Sequence, residues 1–424
     1  MSLPPLIGDV RLLVYLVVGF RLIMAMVYQP YVFEVYELDD GEYTPTTLER
    51  GMSTFGDLRY YYQFAELVDA GNLPYRDFWH EFPPVWIALF SGVYVLMGLR
   101  GEVDFTSWAT MIGLIMIAFD VGNLLLLRRL GRRLHGEAAG AILPWIYAML
   151  AAPLIFAWWT FETMVAFTIL AALACLLEGR DQASALLTAA GTLTKYTPIL
   201  LLPTVWRFGD RRRAVRYTLA SAGAVAVVLG ALLAWGGRMA WASLLAQFNK
   251  ASYQSVWALI DGNMRTGSFT GPETRFDADT AFEPYGNEPV IPAVVRMLPF
   301  AVVGAFIFTR KLREDDQGVV AFFSITVALF FLWAHGWSPQ WIVTLTPLIL
   351  LNYPTRDGVL VCLALSLICF VEYPTLFMRT GDTGGEISGA LVAPYVFTIL
   401  LRTALLVGVV VGLYRRATAR SSYA

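Results

Sequence analysis

Residues 106–127 read TSWATMIGLIMIAFDVGNLLLL, with Asp120 as the one charged side chain, and the run ends on Arg128, Arg129, Arg132 and Arg133. A bilayer core about 30 Å thick takes roughly 20 residues of helix, the element that satisfies its own backbone polar groups in lipid. The stretch therefore predicts a membrane-spanning helix with a basic cluster at one end. Comparable apolar runs occupy 10–30, 138–157, 163–178, 217–235, 290–309, 317–333, 339–353, 358–377 and 390–413. Across 424 residues the chain is 57% hydrophobic and 15% charged, with a mean hydropathy of +0.58. A water-soluble globule could not carry that balance on its surface. The expected fold class is an all-α polytopic membrane protein of roughly 11 to 13 membrane helices. Juxtamembrane helices are expected in its outer loops, and residues 1–424 are expected to form a single membrane-embedded domain.

The net charge of -2 excludes the basic surface that holds nucleic acid by counterion release. Cys175, Cys362 and Cys369 all lie inside apolar runs, so neither a disulfide framework nor a thiolate metal site is expected. The first run lacks a basic leader and a small-residue cleavage site, and is read as a retained helix.

Orientation follows from arginine and lysine at 128–133, 207–216, 310–313, 356 and 415–420, which should face the cytoplasm together with both termini. Two runs complicate the path. Residues 84–98 are short and open at Pro83-Pro84, and 183–206 carries Lys195 at its middle with Pro198 just beyond. The Arg128 cluster stays inside if 84–98 re-enters without crossing and 183–206 crosses zero or two times, as a broken hairpin around Lys195-Tyr196-Thr197-Pro198. If both runs instead cross once, that cluster falls outside, against the charge rule. The outer face then carries loops 31–83 and 236–289 and turns at 158–162, 334–338 and 378–389, where a site is expected. No internal repeat is visible, which counts against the usual secondary-transporter architecture.

The richest outer stretch runs from Gly56-Asp57-Leu58-Arg59-Tyr60-Tyr61-Tyr62 to Gly71-Asn72-Leu73-Pro74-Tyr75 and on to His80-Glu81-Phe82-Pro83-Pro84. Positions 58, 61, 62, 64, 65 and 68 fit one face of a surface helix that starts at Asp57 and is stopped by Gly71. First-turn N–H groups favour an ionised carboxylate, which suits Asp57 either as a helix cap or as a general base. Within the spans, Arg21 with Asp120 and Glu372 with Arg402 are plausible partners, since a charge near mid-membrane costs about 2.5–3.5 kcal/mol. The alternative is that Arg21 or Arg402 reaches a ligand from below. Lys195, at a break in membrane-depth helix, is expected to line protein or a cavity.

Together, Asp57 shortly after the first helix, the aromatic run Tyr60 to Phe64, the turn Gly71 to Tyr75, and Glu81 before Pro83-Pro84 resemble the first outer loop of the GT-C superfamily of membrane glycosyltransferases. The closest branch is that of the α-mannosyltransferases of GPI-anchor and phosphatidylinositol-mannoside synthesis. Leu193-Thr194-Lys195-Tyr196-Thr197-Pro198 resembles the superfamily's Lys-x-x-Pro segment, and His335-Gly336-Trp337-Ser338-Pro339-Gln340-Trp341 resembles its late Ser-Pro-Gln-aromatic turn. The resemblance implies a GT-C-like bundle in the cell membrane. It further implies an inverting glycosyltransferase that moves a hexose, mannose by the closest branch, from a polyprenyl-phosphate donor. The acceptor would be a glycolipid, glycan or protein on the non-cytoplasmic face.

The same resemblance implies Asp57 as the base, Glu162 as an acidic residue opposite it, and His335 as a further catalytic candidate. Glu162 is equally placed to snorkel or to cap its helix. A departing phosphate needs positive charge or hydrogen bonds as it leaves. The candidates for that role and for substrate binding are Arg76, His80, Glu81, Lys195, Lys250, Arg265 and Gln340. That branch often carries Asp-x-Asp where this chain reads Asp57-Leu58-Arg59, so a metal held by paired carboxylates is not supported and no cofactor is expected. His80 beside Glu81 lacks a clear third ligand. Gly262, Gly267, Gly271 and Pro272 mark loop 236–289 as a candidate lid. The rival reading is a transporter or lipid flippase, with the intramembrane charges as its path.

Overall fold

The computed structural model describes residues 5–28, 31–39, 42–50, 56–267, 271–283, 286–380 and 385–419. Arg420 and the parts of the expected outer loops at 40–41, 51–55, 268–270, 284–285 and 381–384 lie outside the described residues. The chain opens with α1 (Val10–Tyr28) and an antiparallel pair of strands, β1 (Tyr31–Asp39) and β2 (Glu42–Arg50), in which Tyr31 stands opposite Arg50. This hairpin adds to the expected helices, and the β-branched and aromatic residues at 31, 32, 33, 35 and 36 account for it.

The surface helices α2 (Gly56–Asp69) and α3 (Pro84–Gly98) follow, then α4 (Phe105–His135), α5 (Glu137–Met149), α6 (Ala151–Phe156), α7 (Glu162–Leu177) and α8 (Asp181–Thr192). A tight 3₁₀ turn, Thr197–Leu201, leads into α9 (Leu202–Phe208). Then come α10 (Arg211–Asn249), α11 (Val256–Asp261), α12 (Ala293–Thr309), α13 (Asp316–Trp333), α14 (Ile342–Asn352), α15 (Arg356–Phe370) and α16 (Val392–Thr418). Acid caps begin three of them. Asp104, Asp210 and Asp315 accept from the backbone N–H groups of Ser107, Arg213 and Gly318 at 2.9, 2.8 and 2.9 Å. Among the described residues, 6 helices are long and apolar enough to cross a membrane. The protein is a multi-pass membrane protein.

Contacts sort the helix ends into two sets. At one end, Arg128 donates to the Gly8 carbonyl (3.1 Å), Arg133 pairs with Asp316 (2.6 Å), Arg213 with Asp181 (2.6 Å), and the Arg313 N–H donates to the Ala417 carbonyl (2.8 Å). This basic end gathers both described termini. The other end holds Asp57, Lys195, Lys250 and the 335–341 turn. The two irregular runs are resolved by the same contacts. Tyr62 on α2 donates to the Val103 carbonyl (2.6 Å), and Val85 donates to the Leu193 carbonyl (2.9 Å). The start of α3 therefore lies beside the Lys195 turn and the chain after its end returns to α2, so α3 begins and ends on the side of the bundle that holds Asp57. Residues 181–208 go up and back, as α8 and α9 joined by a turn at Lys195, because Asp181 and Arg207 both lie at the basic end.

The buried charges pair with each other. Arg21 Nε lies 2.9 Å from Asp120, whose other oxygen accepts from the Tyr147 hydroxyl at 3.0 Å. Arg402 pairs with Glu372, which also accepts from Trp337 Nε1 at 3.0 Å. A buried charge with an opposite charge beside it is tolerated far better than a lone one. The charges that motivated a transport path are thus occupied as structure.

Helix α10 does not end at 235, and 238–249 is helix rather than loop. The break is Gly237, at φ 54, ψ -125. Its neighbour Gly236 is pressed against the Tyr75 carbonyl so closely that a Cβ there would lie 1.8 Å from the oxygen. Tyr75 itself stands at φ 66 and donates its hydroxyl to the Phe82 carbonyl at 2.7 Å, so the contact reaches the wall of the site. Gly236→Ala is expected to force these backbones apart and lower the thermal midpoint by several degrees, in line with a steric defect of about 1–3 kcal/mol. Thermal unfolding in detergent is the check, with Gly223→Ala, where a Cβ meets nothing within 4 Å, as the comparison.

Candidate active site

Helix α2 is held by its aromatic face. Leu58, Tyr60, Tyr61, Phe64 and Ala65 are buried, and the Tyr61 ring packs between Trp86, Phe90 and Phe161 at 5.3, 5.3 and 6.2 Å. This clasp fixes the first turn, and Asp57 with it, on the wall of a cavity of about 360 Å³. Asp57 Oδ2 accepts from Gln340 Nε2 at 3.4 Å, so the first outer loop meets the Ser338-Pro339-Gln340-Trp341 turn across the cavity.

Burial pushes the Asp57 carboxyl up to about 6; Lys250 opposes that shift, Glu81 adds to it, and Lys195 and the Gln340 hydrogen bond oppose it further. The group is therefore a carboxylate at neutral pH with a higher proton affinity than an exposed aspartate. Such tuning suits a general base.

Two lysines line the cavity beside it, each leaning on its own buried acid. Lys195 Nζ lies 2.5 Å from Glu162, whose second oxygen accepts from Thr344 at 2.8 Å, and the ammonium rests over the Phe161 and Trp341 rings. Glu162 caps nothing through its side chain and is fully buried, with Lys195 and Thr344 as its partners. Lys250 lies 3.4 Å from Glu81, which also pairs with Arg275 at 2.9 Å. Arg275 stacks 3.5 Å over Trp79 and bonds the Tyr60 hydroxyl; burial lowers its guanidinium to about 9, which leaves it cationic at neutral pH.

Of the residues named from sequence, the structure brings Asp57, Glu81, Glu162, Lys195, Lys250 and Gln340 together. The others are placed elsewhere. Arg76 pairs with its neighbour Asp77 at 2.8 Å and lies over Trp235. His80 packs its ring edge-on against Phe64, and burial lowers it to about 4, so it is neutral. His335 contributes its carbonyl to Tyr253 N–H and Ser255 Oγ at 3.3 and 2.6 Å. Its imidazole is also lowered to about 4, by burial and then Lys250 and Arg296, and it is not among the lining residues. Arg265 offers its carbonyl to the Tyr395 hydroxyl at 2.8 Å, while the adjoining Thr266 and Gly267 line the cavity.

Sequence reading overlooks Arg275, Gln247, Gln254 and the rings Phe156, Trp159, Tyr373 and Phe377, all set by tertiary contacts. Among the described residues, no three His, Cys, Asp or Glu side chains converge as a metal site. A second cavity, about 480 Å³ and without a charged lining residue, runs between α9, α12 and α13. Its Phe330 lies 6.2 Å ring to ring from Trp341 of the first cavity.

Residues 79–335 match glycosyltransferase family 87. Among solved structures, the apo oligosaccharyltransferase of Archaeoglobus fulgidus is similar at 13% identity, covering 97% of this chain and 56% of that one, with a TM-score of 0.43. ArnT from Cupriavidus metallidurans, bound to undecaprenyl phosphate, is similar at 14% identity over 96% and 77%, with a TM-score of 0.48. The chain thus spans little more than half the length of the archaeal enzyme. No curated protein matches it.

Proposed function

The chain belongs to glycosyltransferase family 87, and from that premise we propose that it is an inverting, polyprenyl-phosphate-dependent hexosyltransferase, with mannose as the favoured sugar. The observation that carries the reading is one carboxylate, Asp57, facing two lysines in a single cavity that adjoins an apolar groove.

In the proposed step an acceptor hydroxyl gives its proton to Asp57 while its oxygen bonds the anomeric carbon. The bond from that carbon to the phosphate oxygen breaks on the opposite face, and the electron pair leaves with polyprenyl phosphate. Attack from one face and departure from the other inverts the anomeric configuration. Lys195 and Lys250 meet the charge that grows on the phosphate, and Glu162 and Glu81 keep them in place before it arrives. The polyprenyl tail would lie along Leu200, Phe300, Gly304, Phe322 and Phe330. The acceptor is a glycolipid, glycan or protein, reached on the face opposite the basic end, which the positive-inside rule assigns to the exterior.

The test is transfer of labelled hexose from synthetic polyprenyl phosphate mannose, glucose or galactose to membrane acceptors by protein in vesicles of defined orientation. Transfer with an inverted product, from donor supplied on the side away from the basic end, is expected. No transfer from any of the three would sink the reading. The same assay carries a pH dependence. A base raised to about 6 loses its ionised form as pH falls, so kcat/KM should be level above pH 7 and drop about tenfold per unit well below 6. A profile flat to pH 4.5 would remove Asp57 as the base.

A further inference from the structure

Four of the chain's seven glutamines, Gln63, Gln247, Gln254 and Gln340, line the Asp57 cavity. Gln254 is the most constrained of them. It is 1% exposed, and its Nε2 has no hydrogen-bond partner. Its backbone stands at φ 47, a left-handed conformation that a side chain of this kind rarely adopts. Both backbone groups are held there: its N–H donates to the Tyr395 hydroxyl at 3.2 Å, and its carbonyl accepts from Arg402. Arg402 in turn stacks 4.5 Å over Trp337 and pairs with Glu372. Strain and an unmet buried amide thus coincide at one residue, and surrounding structure is spent on keeping it so. That combination marks a position held for a ligand.

The chemistry of the ligand follows from the group. A carboxamide offers both donors and an acceptor, which matches a hydroxyl that both gives and receives a hydrogen bond. Phosphate oxygens only accept, and the lysines already stand for them. Gln247 lines the same cavity with an Nε2 that likewise has no partner. We propose that Gln254, with Gln247 of the same cavity, forms a subsite that reads a ring hydroxyl of a pyranose, and that Gln254 is a specificity-determining residue for sugar transfer. This inference rests on the hexosyltransferase reading above. The hydroxyl belongs either to the transferred sugar or to an acceptor sugar, and the two are separable.

Gln254→Gly is the informative variant, because glycine adopts the left-handed backbone without strain and removes only the side chain. Polyprenyl phosphate mannose, glucose and galactose, each with its monodeoxy forms, are tested as donors. Alkyl mannosides with their monodeoxy forms are tested as acceptors.

The expected result is one monodeoxy form, in one arm, used about tenfold less well than its parent by wild type and equally well by Gln254→Gly. The variant loses this discrimination through a fall in the parent rate alone, with a thermal midpoint no lower than wild type. Gln254→Asn, which also tolerates this backbone, should repeat the loss with its shorter amide. The arm in which discrimination collapses identifies donor or acceptor sugar. Unchanged discrimination in both variants overturns the inference and leaves the transferase reading intact, whereas absence of any wild-type transfer overturns both.

Discussion

Asp57→Asn should lose about 10²–10⁴ of turnover, the usual contribution of a positioned base, while the protein folds at least as well as wild type. The two effects have opposite signs for one reason. The folded-state carboxyl titrates at about 6, above its ordinary value of 3.8, so folding favours the protonated form. Ionised Asp57 therefore weighs against the fold above that range, and the burden eases as pH falls through it. A neutral asparagine of the same shape removes the burden and keeps a partner for Gln340. Its amide cannot take a proton from an acceptor hydroxyl. Steady-state transfer and thermal unfolding at pH 7.5 are the paired measurements. A variant that keeps more than about a tenth of wild-type turnover would place the base elsewhere.

Lys195→Met should cost about 10²–10³ in turnover, comparable with removing one donor from a charge-stabilising site. It also leaves Glu162 fully buried without its 2.5 Å partner, and an orphaned buried charge destabilises by about 3–5 kcal/mol. A loss of activity through misfolding must be separated from a loss of chemistry, and the pair itself supplies the separation. In Lys195→Met/Glu162→Gln no charge is stranded, so stability should return toward wild type while turnover stays low. Recovery of turnover in the double variant would mean that Lys195 serves only to neutralise Glu162. Lys250→Met is expected to be milder for the fold, because Glu81 keeps Arg275 at 2.9 Å.

Much of this molecule is legible in its sequence because lipid imposes a coarse code. Apolar runs such as 106–127 predict helices, and the arginines at 128–133, 207–216 and 310–313 do gather at one end of the bundle. The meeting of Asp57, Glu81, Lys195 and Gln340 is likewise anticipated from short motifs in a fixed order. What remains hidden is direction. His80 and His335 sit in the right segments, yet their rings pack into protein, and no local pattern tells which way a ring turns. Gln247 lies on the kinked end of α10, and Gln254 and Arg275 in the irregular chain after it, so no regular spacing ties them to Asp57. Arg402 and Tyr395 on α16 fix the backbone of Gln254 from far along the chain. Sequence spacing carries no trace of that contact. The β1–β2 hairpin reads as loop from sequence because residues 31–50 interleave aromatic, aliphatic and acidic side chains without the strict alternation that marks a strand, and carry Pro45.

Lys195 and Lys250 share the cavity wall, and the only other lysine, Lys311, lies exposed at the basic end. Isotopic methyl tags placed on primary amines would accordingly give a sparse magnetic-resonance spectrum, with one line from the α-amine and three from lysines. Two lysine lines would report on the neighbourhood of Asp57, and a third, from the opposite end of the bundle, would serve as an internal reference. Binding of a phosphate-bearing lipid would then be visible as movement of two signals against a stationary one, in a membrane protein whose remaining basic side chains, all arginines and histidines, stay silent.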